Sequence, residues 1–412
     1  MLPTGPSLGN CLHRSSLASG TRTYRKGRLA RRAPALTVRR PFCDCRGQRI
    51  SLPTIQFISG PALGHFGRIA LVARSLRERI DCTIRIAIPS VARFDTAPFE
   101  HEFAIEKIPL ARRDLAYPAP AFADALDRVF RKANPDLVVQ DCCPARWLAT
   151  ARFPECPRAV ITNGFLTRIA GETTVQTQLF AKKRRLIRKE REKHGLPPLR
   201  DAYDLYEADR VLLADPQWLL DETRPLPEAY RVCGALWWEA PGTLPAELAA
   251  LDNLLLCSMG STGALVDDRS CALAAERFGC DAILRVHSKT TQREERMIGR
   301  HRLYQSGVLP LGAILPSAGA VMTQGGAGST YQALAAGKPL AIVPSHRNHR
   351  ILGRMLEARG VAALVENRRA LKRVAPERVA AMRRTAAEAG PTHFANTGAS
   401  RIADHLHDLL AS

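Results

Sequence analysis

Short apolar runs recur along the chain, each closed by small or polar residues and followed by a stretch of helical period. The first, Thr54-Ile55-Gln56-Phe57-Ile58-Ser59, predicts a strand. Gly60 to His65 reads as the turn after it, and a helix is predicted from about Gly67 to Glu78. Strands are expected next over Cys82–Ile88, Ile105–Ile108, Asp136–Gln140, Ala159–Thr162, Arg210–Ala214 and Tyr230–Cys233. Helices are expected over Ala121–Lys132 and residues 178–194. Trp237 to Pro245, with its Pro, Gly and Thr, reads as a linker. A second series follows: Leu254–Ser258, Ala282–Val286, Gly307–Leu309, Ala320–Thr323, Leu340–Val343 and Ala362–Val365, then a closing helix over Asn396–Leu410. Strands alternating with helices imply parallel sheets with both faces covered. The expected fold class is α/β, two Rossmann-like doubly wound domains facing a central cleft. The expected divisions are residues 1–50, 51–236, 237–245 (linker), 246–395 and 396–412, the last helix packing back toward the first domain. In such folds ligands bind outside the carboxyl ends of the strands.

Charge changes this picture at one end. Sixty Lys+Arg against 39 Asp+Glu give a formal charge of +21. Residues 1–50 hold eleven Arg/Lys and one acid, Asp44, and show no periodicity. They are expected to be a disordered basic tail; a transit segment and a misplaced start codon are the other readings of that composition. The rest of the chain lacks the basic–aromatic interleaving of a single-strand binder, so no nucleic-acid partner is expected. The stretch from Lys182 to Lys193 is strongly basic. It reads as a solvated helix face or as a contact with an anionic surface such as membrane headgroups. The 11 cysteines are scattered, with no pair at zinc spacing, which suits a reducing compartment. No apolar run approaches a membrane span and no signal-peptide pattern is evident, so a cytoplasmic location is expected, with peripheral contact at the inner membrane face left open.

Three turns carry candidate chemistry. Gln324-Gly325-Gly326-Ala327-Gly328 follows the strand run Ala320–Thr323 and precedes a helix opening near Ser329 and Thr330. Glycines let backbone approach a ligand, and free N–H groups at a helix start suit a diphosphate. An ordinary helix capped by Ser329 is the other reading. Ser258 to Gly263 is a second small-residue turn, which reads either as backbone and hydroxyl groups offered to a phosphate or as just a tight βα turn. His65 and Asp141 follow strands of one sheet, so they can meet as a general base and its orienting carboxylate, or serve merely as turn and cap residues. Neither a metal cluster nor a resident cofactor is expected.

Taken in order, these pieces resemble the UDP-glycosyltransferase superfamily, of the two-lobed GT-B type that includes the peptidoglycan GlcNAc transferase. The donor signature of that family is matched by VLPLGAIL (308–315), TQGGAGSTYQALAAGKP (323–339) and AIVPSHRNH (341–349). HGLPPL (194–199), CGALWW (233–238) and LLCSMGSTG (255–263) match its other landmarks. The resemblance implies metal-independent, inverting transfer of a hexose-type sugar from an NDP-sugar, with UDP favoured, to a hydroxyl acceptor. It implies His65 as base and Asp141 as its support. The diphosphate would lie at Ser261, Gln324, Gly325, Gly326, Gly328 and Ser329, and the ribose and sugar at Gln332, Asn348 and His349. The partners implied are the NDP-sugar and a small-molecule or lipid acceptor. A glycolipid or cell-wall precursor transferase, a sugar-nucleotide hydrolase or epimerase, and a binding protein without activity share the same fold. Five positions depart from the family pattern: Gln324 replaces a histidine, Leu311 a glutamine, Gln332 a glutamate, and Asn348-His349 an Asp-Gln pair.

Overall fold

The apolar runs condense into two parallel sheets. The computed structural model describes residues 52–412 apart from 93, 111–118, 172, 221–224, 261–265, 288–289 and 291–292, so the expectations for residues 1–50 and for Ser261 lie outside the described residues. The first sheet holds β1 (Thr54–Ile58), β2 (Thr83–Pro89), β3 (Ala104–Ile108), β4 (Leu137–Asp141), β5 (Arg158–Thr162), β6 (Arg210–Leu213) and β7 (Tyr230–Val232). Its order is β3-β2-β1-β4-β5-β6-β7, with every pairing parallel. Helices α1 (Leu63–Arg77), α2 (Ala97–Glu100), α3 (Pro120–Ala133) and α4 (Val175–Lys193) belong to this half. Strand β4 is buried at every position, as a strand covered on both faces must be.

The second sheet holds β8 (Leu254–Ser258), β9 (Ala282–Val286), β10 (Glu294–Ile298), β11 (His301–Ser306), β12 (Ala318–Thr323), β13 (Leu340–Ile342) and β14 (Ala362–Leu364). Its order is β10-β11-β9-β8-β12-β13-β14, and only the edge strand β10 is antiparallel. With it run α5 (Ala246–Ala249), α6 (Asp268–Phe278), α7 (Leu311–Ile314), α8 (Ala327–Ala335), α9 (Arg347–Ala358), α10 (Arg368–Lys372) and α11 (Pro376–His393), and α12 (Gly398–Ala411) returns to the first half.

Two expectations need correction. Residues 307–309 are not a strand; β11 precedes them, paired with β10. Neither strand shows a continuous apolar run, because β11 alternates buried with more exposed positions and β10 is an open edge. The first helix begins at Leu63, not near Gly67, so His65 sits in its first turn, with its N–H donating to Ala62 O at 3.0 Å.

Each sheet reverses its strand order once, between β1 and β4 in the first and between β8 and β12 in the second. Crevices form at the carboxyl ends of such pairs, since the following helices leave toward opposite faces. One apolar cluster joins the halves, with Phe165, Leu166 and Phe180 from the first and Tyr331, Leu334 and Phe394 from the second. The last helix, α12, sets Ile402, Ala403, Leu406 and Leu409 among Phe57, Phe66 and Ile69 of the first half. Helix α4 is seated by Phe180, Ile187 and Arg191, whose Nε donates to Pro197 O at 2.6 Å. No helix among the described residues is long and apolar enough to cross a membrane.

Leu406 is fully buried. Leu406→Ala should lower stability by about 2–5 kcal/mol through lost transfer energy and the cavity left behind. Urea unfolding measures it; a cost near zero would mean that α12 does not complete this core.

Candidate active site

The first crevice is built by one helical turn and one strand end. Residues three apart on a helix share a face, so His65 and Arg68 of α1 both reach the end of β4. Nδ1 of His65 stands 2.7 Å from Asp141 Oδ1, and Arg68 Nε donates to Asp141 Oδ2 at 2.5 Å. Asp141 is fully buried, whereas the His65 side chain is about 31% exposed. Burial alone would disfavour the charged carboxylate. The Arg68 charge, with the hydrogen bonds from Arg68 and the His65 ring, outweighs it and holds the Asp141 carboxyl well below the usual range. Arg68 is correspondingly held protonated despite its own burial. An ionised carboxylate only accepts hydrogen bonds, so Nδ1 of His65 carries the proton and its lone pair resides on Nε2. That is the form of a general base with a stabilising anion behind it.

Cys142 completes this corner. Among the described residues, His65, Asp141 and Cys142 bring ligand-type atoms within 4.8 Å of one another. Arg68 already lies among them, with Nη2 donating to Cys142 Sγ at 3.1 Å. A guanidinium thus supplies the positive charge that a cation would bring, and the set does not fit a metal.

The polar contacts continue inward. Arg68 Nη1 donates to Asn163 Oδ1 at 3.1 Å, and Asn163 Nδ2 donates to Asp215 Oδ1 at 2.8 Å. Gly164 N donates to Asp215 Oδ2 at 2.5 Å, and the phenol of Tyr331 donates to Asp215 Oδ1. Burial raises the Asp215 carboxyl above its ordinary value, against these donors and Arg68. Sequence reasoning missed Arg68, Cys142, Asn163 and Asp215. A legible sign existed: β4, β5 and β6 each run into a polar residue, at Asp141, Asn163 and Asp215.

The second crevice contains the glycine turn. Gly325 has φ of +90°, and a Cβ there would meet Ile342 Cγ2 at 3.0 Å and His349 O at 3.1 Å. Only glycine holds that backbone without strain. The helix N-cap is Gly326, with no side-chain cap bond, so α8 is not capped by Ser329. Ser329 lies in the first turn, its Oγ 3.3 Å from Thr323 Oγ1. The first N–H groups of a helix have no intrahelical acceptor, and at α8 no cap side chain takes one. Gln324 accepts from Ser345 Oγ at 3.1 Å and packs over Gly260, where a Cβ would meet Gln324 Nε2 at 2.9 Å. Ser345 Oγ also lies 3.0 Å from His349 Nδ1, and His346 stacks on His349 with ring centroids 3.6 Å apart. Burial, then the neighbouring His346, push His349 down to about 3, and burial lowers His346. His349 is therefore neutral at physiological pH.

Gln324, Gly325, Gly326, Gly328, Ser329 and His349 thus belong to one turn region. Gln332 and Asn348 have partners elsewhere. Gln332 Nε2 donates to Glu239 Oε2 of the linker at 2.8 Å, and Glu239 Oε1 accepts from Gly312 N at 2.5 Å. A cavity of about 350 Å³ opens beside them, lined by Trp237, Leu315 and Lys338 among others. Asn348 spans the halves: its Oδ1 accepts from Val175 N at 2.9 Å and its Nδ2 donates to Gln176 Oε1 at 3.0 Å.

No family model and no curated protein matches the sequence. Solved structures do match. The calicheamicin glycosyltransferase CalG4 aligns with a TM-score of 0.61 at 18% identity, over 88% of this chain and 99% of that one. The glycosyltransferase SnogD from Streptomyces nogalater aligns at 0.59 and 20%, over 87% and 100%. LpCGTa, solved in complex with UDP, aligns at 0.59 and 17%, over 88% and 100%. At these identities the likeness is one of fold, and the fold is GT-B, as the family resemblance implied.

Asp141→Asn leaves the Arg68 guanidinium buried without its counter-charge, and should cost about 3–5 kcal/mol at neutral pH. The folded carboxyl titrates below the unfolded one, so its contribution is present above the unfolded value and lost as pH falls toward the folded one. The stability gap between wild type and Asp141→Asn should narrow between about pH 5 and pH 2. Urea unfolding at stepped pH reads it, and a constant gap would contradict an anionic Asp141.

Proposed function

We propose that the protein is a glycosyltransferase that moves a hexose-type sugar from an NDP-sugar, with UDP favoured, to a hydroxyl acceptor with inversion. The carrying observation is the pairing of two crevices in a GT-B fold. His65 backed by Asp141 stands at one strand reversal, and the uncapped start of α8 stands at the other.

In this reading Nε2 of His65 takes the acceptor hydroxyl proton as its oxygen bonds to the anomeric carbon. The bond from that carbon to the diphosphate oxygen breaks from the opposite face, and the diphosphate departs with the electron pair. Asp141 stabilises the imidazolium that results. The growing charge on the diphosphate meets the N–H groups of the turn and the positive end of the α8 dipole, which supports a mechanism without a metal. The cavity beside Gln332 and Glu239 suits the nucleoside, with the carboxylate accepting from ribose hydroxyls. The UDP in the LpCGTa structure supports the choice of nucleotide. On the sugar, His349 offers a neutral imidazole, while Asn348 is spent on α4, so the donor-sugar contacts differ from the family's Asp-Gln pair.

A screen of UDP-, dTDP- and GDP-sugars by thermal unfolding tests donor binding. A donor held at 100 times its Kd adds about 2.7 kcal/mol to native stability. His65→Ala should keep that response and lose about 10²- to 10⁴-fold in transfer rate. Unchanged transfer would remove His65 from the role of base.

One surface favours a lipid acceptor over a freely dissolved one. Lys182, Arg185, Lys189 and Lys193 are exposed on α4, around an exposed Leu186, opposite the buried Phe180, Ile187 and Arg191. The same helix begins at the contact with Asn348. A cationic ridge of this kind fits an anionic membrane, and the protein would then work at the inner face. Binding to phosphatidylserine vesicles should fall steeply with salt and with Arg185→Glu/Lys189→Glu. Equal binding to neutral vesicles would reject this reading and leave a small-molecule acceptor.

A further inference from the structure

The contacts of Tyr331 suggest a role that neither crevice explains alone. Tyr331 lies on α8, the helix whose start is assigned to the diphosphate, yet its phenol bonds Asp215 at the end of β6 in the other half. From there buried polar contacts run without a gap to the base: Asp215 to Asn163, Asn163 to Arg68, Arg68 to Asp141, Asp141 to His65. Tyr331, Asp215 and Asp141 are fully buried, Asn163 is 3% exposed and Arg68 6%.

We propose that Tyr331 and Asp215 are positioning residues for His65, tying the helix that receives the donor to the group that deprotonates the acceptor. The inference rests on the function proposed above for both crevices.

The chemistry of each link supports a directional chain. Asn163 offers its N–H₂ to Asp215 and its carbonyl to Arg68, so the amide can satisfy both neighbours in one orientation only. Ala214 O accepts from the same Nδ2 at 3.1 Å, and Asp215, held as an acceptor by the Tyr331 phenol and Gly164 N–H, is the charged partner that reinforces this orientation. Burial works against the Asp215 anion, so removing the phenol shifts this carboxyl toward its neutral form. Arg68 then loses part of its compensating charge. His65 faces Asp141, Arg68 and Cys142, and a less compensated Arg68 makes the imidazolium less favourable. Packing makes the route stiff, since Tyr331 is wedged against Phe394 with ring centroids 5.5 Å apart. A small displacement of α8 is passed to Asp215 directly through the phenol bond, since close-packed interiors transmit strain.

A purely structural polar contact would also be buried and satisfied, so the test must read His65 itself. The proton titration of the His65 imidazole is followed by NMR in the wild type and in Tyr331→Phe, each with and without UDP. Phenylalanine fills the same space, so the fold is expected to persist, and urea unfolding checks it. In the free protein the His65 titration midpoint should fall by roughly 0.5 pH or more in Tyr331→Phe, the direction expected when a nearby anion is weakened. Asp215→Asn, which removes the charge and keeps the shape, should move it the same way. UDP should move the wild-type midpoint, and that response should at least halve in Tyr331→Phe while the Kd for UDP changes less than about threefold. Identical midpoints in wild type and both variants overturn the proposal, whether or not UDP binds. A UDP response of equal size in wild type and Tyr331→Phe overturns it as well. Failure of UDP to bind the wild type would instead overturn the donor assignment, and the comparison of free proteins would still decide whether Tyr331 acts on His65.

Discussion

A single buried carboxylate governs the first half of this molecule. Asp141 has no access to solvent and accepts from a histidine and an arginine on the same turn of α1. Its ionisation is possible only because both are there, and each is oriented only because it is ionised. The arginine makes this different from a simple histidine–aspartate pair. Part of the negative charge that would favour an imidazolium is spent on Arg68, which in turn has to be satisfied by Asn163 and Cys142. In the proposed reading the basicity of His65 is a property of the group, including Asp215, and not of two residues.

In the proposed reading the second half has the complementary task of meeting negative charge. It contributes backbone: a glycine at positive φ, a helix start with no side-chain cap, and neutral side chains around them. Under the proposed function the two solutions face different chemistry, proton removal at one end and charge acceptance at the other; each sits where its sheet reverses strand order. The halves are also fastened to each other at several depths. Tyr331 bonds Asp215 in the interior, Asn348 holds the start of α4, and Glu239 of the linker holds Gln332. Residues expected to meet the donor thus double as fasteners, and donor entry has to compete with or work through these contacts.

Much of the fold was legible in the sequence because parallel strands covered on both faces have to be apolar throughout. The runs at β1, β4, β5, β8 and β12 are of that kind and could be placed to within a residue or two. β10 and β11 escaped because an edge strand needs no continuous apolar run, and the helix start at Leu63 escaped because Gly60, Pro61 and Gly64 read as turn. The positions of His65, Asp141 and the glycine turn were also legible, since each lies in or next to the turn that closes an apolar run, and strand ends collect on one edge of a parallel sheet.

What the sequence alone determined is therefore local: which segments are strands, which turns need glycine, and which polar residues close those strands. Partnership across the fold was decided only by tertiary structure. Nothing in the chain near Arg68 says that it shares Asp141, 73 positions away, and nothing near Tyr331 says that its phenol reaches Asp215, 116 positions back. The physical reason is that a buried polar group must find a partner, and which partner it finds depends on which strand ends and helix turns the packing brings together.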